Sequence, residues 1–119
     1  MRTDAFQSFL VSVIRRDFRG ANLSGVDLRN ADLTNSDCRD ADFSKACLIN
    51  VNFRGANLIG ANFNSADLRG ANLIADLTNA DLNCTNLEGV KLKNAILRGA
   101  KMGNTQRAYA KEQGAVMIE

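Results

Sequence analysis

The chain has 119 residues, the size of one domain, and its 15 Lys and Arg against 13 Asp and Glu leave a net charge of +2. That balance gives no strong push towards nucleic acid or a membrane surface, and no apolar run approaches the ~20 residues of a membrane span. There is no His to serve as a base. The three Cys stand at unpaired spacings, which reads as reduced thiols in a cytoplasm rather than a disulfide framework or a zinc site.

Met1 shows no cleavable signal, and residues 1–15 read as an N-terminal cap. Thr3 or Asp4 suits a helix start, and Phe6, Leu10 and Val13 or Ile14 fall on one side at helical spacing. A capping helix is expected over about 4–12. Val11 to Arg15 also fits the frame of a degenerate repeat. A membrane-surface helix is the sharper reading, but Arg2, Arg15 and Arg16 are few for it.

From Arg16 to Asn104 one five-residue unit repeats, as in Ala21-Asn22-Leu23-Ser24-Gly25, Ala56-Asn57-Leu58-Ile59-Gly60 and Ala66-Asp67-Leu68-Arg69-Gly70. The unit centres are Phe18, Leu23, Leu28, Leu33, Cys38, Phe43, Leu48, Phe53, Leu58, Phe63, Leu68, Leu73, Leu77, Leu82, Leu87, Leu92, Leu97 and Met102, eighteen in all. A small residue, most often Ala, stands two positions before every centre except Phe18, which Arg16 precedes. Asn or Asp lies between them in fourteen units, and Gly or Asn closes thirteen. A period of five fits neither a helix nor a plain strand. Within one unit, however, the small residue and the centre are two apart, so both point to one side. The closing Gly or Asn tolerates the left-handed backbone of a tight corner. Short straights and corners trace a closed coil whose inward residues are the small ones and the centres. No proline interrupts the ladders between coils.

These tandem units resemble the pentapeptide-repeat family, whose signature is Ala-(Asp/Asn)-Leu-x-x, over about three quarters of the chain. The resemblance implies an all-β solenoid, a right-handed quadrilateral β-helix with four pentapeptides per coil. Eighteen units then make about 4.5 coils, a stack roughly 20 Å tall, with short helical caps at both ends. On a four-unit count Phe43 and Phe63 share a side one coil apart and are expected to stack. Cys38 is expected inside, and Cys47 and Cys84 outside as inert thiols. One residue is missing between Leu73 and Leu77, and a local fix at that corner is expected because regular units resume at once. The β-helix is read over 16–104 and a C-terminal cap over 105–119. Thr105 caps a helix over Gln106 to Gln113, Gly114 provides the left-handed exit, and Ala115 to Ile118 fold back on the last coil.

Outward positions are where function has to reside. Arg19 and Arg39 share one side with Ile59, Thr78 and Arg98, and the pattern exposes Ile49, Ile59, Ile74 and Ile96. Arg19, Arg39, Ile49 and Ile59 are the candidate partner-binding residues. From Asp17 to Glu88 ten acids face six bases, whereas Val90 to Lys111 holds six bases and no acid. No nucleophile motif or phosphate-binding loop is present, so neither an enzyme nor a cofactor is expected. The Asp rows form no clustered metal-ligand loop. The resemblance implies a rigid scaffold for a protein partner, as in regulatory members from bacteria, notably cyanobacteria. Its alternative is the quinolone-resistance type, long acidic rods that mimic DNA, pair end to end and occupy DNA gyrase or another topoisomerase. The +2 balance and the expected C-terminal plug favour the scaffold, here a monomer that binds neither nucleic acid nor membrane.

Overall fold

The structure, a computed structural model, describes residues 16–117. Its logic is visible in the unit around Leu58, where every backbone N–H has an acceptor. Asn57 N–H donates to Ser36 O of the preceding coil at 2.9 Å, and Leu58 and Gly60 N–H donate to Asp76 O and Thr78 O of the following coil at 2.8 and 2.9 Å. Ala61 N–H closes the turn on Leu58 O at 3.0 Å. The N–H left over, that of Ile59, is accepted by Asn57 Oδ1 at 3.2 Å. Unpaired peptide groups are costly, and a short carboxylate or carboxamide two residues earlier satisfies this one. The same bond recurs from Thr34 N–H to Asp32, Asn64 N–H to Asn62 and Glu88 N–H to Asn86. This is the physical reason for Asn or Asp in the signature.

The closing residue of each regular unit has positive φ, from Gly20 at 63° to Gly99 at 68°. Gly and Asn take this backbone cheaply. Lys45, Ser65 and Cys84 hold it at 59°, 64° and 62°, at about 1 kcal/mol each.

Parallel bridges join residues twenty apart, Asp17 to Asp37 and Asp37 to Asn57, so four units complete one coil. The chain is therefore a four-sided β-helix. Its first side carries the centres Phe18, Cys38, Leu58, Leu77 and Leu97, and its second Leu23, Phe43, Phe63, Leu82 and Met102. The third side carries Leu28, Leu48, Leu68 and Leu87, and the fourth Leu33, Phe53, Leu73 and Leu92.

All of these centres are buried except Leu28, which is half-buried against the core. Phe43 and Phe63 stack with centroids 5.2 Å apart and planes 6° apart, and Phe53 meets both edge-on. The missing residue is absorbed locally, as expected. Bridges from Asn57–Asp76 to Asn72–Lys91 span nineteen residues, and Asp76–Ile96 spans twenty again. Gly55 N–H still reaches Ile74 O at 2.9 Å.

The C-terminal helix covers Asn104–Glu112, with Gly103 as its N-cap. It therefore starts two residues before the expected Gln106, and Thr105 is not the cap. The cause is Gln106, whose Oε1 accepts the Gly103 N–H at 2.7 Å. Lys101 replaces the Asn or Asp that would otherwise take that N–H. Gln106 Nε2 also donates to Thr85 O at 2.8 Å, and Tyr109 OH donates to Val90 O at 2.9 Å. Gly114 makes the expected left-handed exit at φ 86°. Beyond it Val116 bridges Ile96, and Val116 N–H donates to Ala95 O at 2.7 Å. Ala115-Val116-Met117 is thus a repeat unit back in frame, and 105–114 fills the length of two units. The expected cap over 1–15 lies outside the described residues.

Candidate interaction surface

The outward residue after each centre sits two positions beyond the Asn or Asp, close enough for their side chains to meet. Where the pair is Asp and Arg, the two lock together. Arg19 Nε and Nη2 donate to Asp17 at 2.9 and 2.9 Å, and Arg39 donates to Asp37 at 2.9 and 2.6 Å. Arg29 holds Asp27 and Arg69 holds Asp67 in the same two-bond geometry. The Arg19 guanidinium brings the Asp17 carboxyl from 3.8 down to about 2. Asp27, Asp37 and Asp67 are lowered by their own arginines, and Asp32 chiefly by its bond from Thr34.

Of the candidate residues, Arg19, Arg39 and Ile59 lie on the first side and Ile49 lies on the third. Both arginines are exposed but already clamped. Ile49, Ile59 and Ile74 are half-buried, and Ile96 is 39% exposed. The clamp escaped the sequence reading, although its signal was present as Asp-x-Arg in Asp17-Phe18-Arg19, Asp27-Leu28-Arg29, Asp37-Cys38-Arg39 and Asp67-Leu68-Arg69.

The cations after Val90 differ. Lys91, Lys93, Arg98, Lys101, Arg107 and Lys111 are all exposed, and none has an ion-pair partner among the described residues. An apolar cavity of about 150 Å³ opens at the first coil between Phe18, Leu23, Leu28, Ala31 and Leu33, with Arg16 and Asp32 at its rim. Cys38 is buried, which pushes its thiol up to about 11, while Cys47 is half-buried and Cys84 exposed. Among the described residues no cluster of His, Cys, Asp or Glu is arranged to hold a metal ion, and no helix is long and apolar enough to cross a membrane.

The pentapeptide repeats family model matches residues 17–48, 36–73 and 75–105. The solved structures similar to this chain include alr5209, a pentapeptide repeat protein from Nostoc Pcc 7120. It is 34% identical over 95% of this chain and 93% of its own, with a TM-score of 0.79. HetL, a pentapeptide repeat protein involved in heterocyst differentiation regulation from Nostoc sp. strain PCC 7120, is 26% identical over 86% of this chain and 68% of its own, at a TM-score of 0.36. QnrB1, a plasmid-mediated fluoroquinolone resistance protein, is 25% identical over 82% of this chain and 59% of its own, at 0.39. No curated protein matches the chain. With the repeat matched from 17 to 105 and four units to each coil, the chain belongs to the pentapeptide repeat family.

Proposed function

We propose that this protein is a non-enzymatic scaffold that presents a rigid β-helix surface to a protein partner. The observation that carries this reading is the complete internal use of the repeat. Inward residues form the core, each Asn or Asp holds a backbone N–H, the closing residues take the left-handed backbone, and only the outward positions are free to vary. The first-side row of Arg19, Arg39 and Ile59 is one candidate contact, and Ile49 on the third side is a separate one. A monomer in the cytoplasm fits this reading.

The DNA-mimic alternative needs a sustained negative field. Here Asp17, Asp27, Asp37 and Asp67 are neutralised within their own units and Asp32 by Arg16. The remaining acids are too few for a rod-long field at physiological salt, where screening sets in at ~8 Å. Two experiments test the choice. A pull-down from the source cell with the full chain as bait is expected to capture a protein partner. A gyrase supercoiling assay is expected to show no inhibition, and dose-dependent inhibition relieved by salt would overturn the scaffold reading.

A further inference from the structure

The outward surface changes character at the last full coil. In earlier coils an outward arginine usually follows an aspartate that clamps it, as Asp17 does Arg19 and Asp67 does Arg69. At the C-terminal end the clamping position is filled by Lys91 before Lys93, by Ile96 before Arg98 and by Lys101 before Gly103. These cations follow one another around the fourth, first and second sides of the same coil. The C-terminal helix then adds Arg107 and Lys111, one helical turn apart and both exposed. Among the described residues nothing accepts the backbone N–H of Lys93 or Arg98, which an Asn or Asp side chain takes in most other units.

We propose that this collar docks an acidic polypeptide segment. The inference rests on the scaffold reading and names the chemistry of its partner. For Arg98 and Arg107 the protein itself shows the favoured match, a carboxylate held by two guanidinium bonds at 2.6 to 2.9 Å in Asp37–Arg39, and the four lysines add positive charge that attracts further carboxylates. A single-stranded nucleic acid is the poorer fit, because single strands are held by aromatic stacking platforms, and Tyr109, on the C-terminal helix beside the collar, is half-buried with its hydroxyl on Val90 O. Binding of a duplex through its phosphates is an outcome the test below includes.

The test uses the full chain and a fluorescein-labelled Asp/Glu-rich peptide, followed by anisotropy. Binding is expected to weaken about tenfold or more between about 50 mM and about 200 mM salt. The variant Lys91→Asn, Lys93→Thr, Arg98→Thr, Lys101→Asn uses residue types found at the same register in other coils, and it is expected to lose at least about tenfold in affinity. The charge-neutral control Asp27→Asn, Arg29→Thr, Asp67→Asn, Arg69→Thr is expected to bind as the native chain does. Circular dichroism checks that both variants fold. Equal binding by the collar variant, no binding by the native chain, or tighter binding of a single-stranded or duplex oligonucleotide of equal charge would each overturn the proposal. If the collar variant still captures the pull-down partner, the acidic-segment inference falls while the scaffold reading stands.

Discussion

The first coil, residues 16–35, and the third, residues 56–75, are built from the same unit but finished differently. In the third, Leu58, Phe63, Leu68 and Leu73 are fully buried. In the first, Phe18, Leu23 and Leu33 keep some exposure, and Leu28, Ala21, Val26 and Ala31 are only half-buried. Their corners differ too. Asp40 Oδ1 lies in the space that a Cβ on Gly60 would fill, whereas Gly25 has nothing within 4 Å. A coil between two described neighbours is completed by both, so burial in a solenoid belongs to the stack rather than to the unit.

The strongest way to break this comparison is to place a charge at each centre. Leu58→Asp is expected to abolish folding and Leu28→Asp to leave a folded protein with a lower Tm, both read by circular dichroism. Equal loss in the two would mean that the first coil is as tightly packed as the third. Truncation gives a graded version. Leu58→Ala is expected to cost roughly 2–5 kcal/mol and Leu28→Ala about 1 kcal/mol in urea unfolding. Corners sharpen the contrast. Gly25→Ala carries only the left-handed penalty of about 1 kcal/mol, and Gly60→Ala about 2 kcal/mol because Asp40 must also move. In an Asp40→Gly background the second cost should fall towards the first.

Much of this was legible in the residues. The small-then-large alternation two apart assigned the inward set, and the four-unit count brought Phe43 over Phe63. What escaped was side-chain chemistry between outward neighbours. Asp17 and Arg19 look like two separate surface charges until the straight backbone between them sets their spacing. The start of the helix escaped for a related reason, since Gln106 acts on the Gly103 N–H that Lys101 cannot accept. The outward isoleucines were read as exposed, but the side chains of adjacent coils stand close enough to cover part of Ile49 and Ile59.

The smallest expected effect is on pH. Asp17, Asp27, Asp37 and Asp67 have folded values below the ordinary 3.8, chiefly because of their arginines. A lowered carboxylate contributes stability that is present above about pH 4 and is lost as pH falls through the folded value, about 2 for Asp17. Three of these four lie in the first two coils. Hydrogen exchange is therefore expected to show amides around Phe18 to Arg39 losing protection on acidification before those around Leu77 to Lys93. Loss in the reverse order would remove the clamps as the cause.

Every bridge in the ladder joins residues nineteen or twenty apart, from Asp17–Asp37 to Ile96–Val116. Among the described residues no such bridge ties the first coil directly to the last. Folding then has no long-range closure to wait for, and it can spread outward from any adjacent pair of coils. Under a mechanical load applied at the two ends, the same spacing predicts release one winding at a time, in steps of about twenty residues, instead of a single rupture.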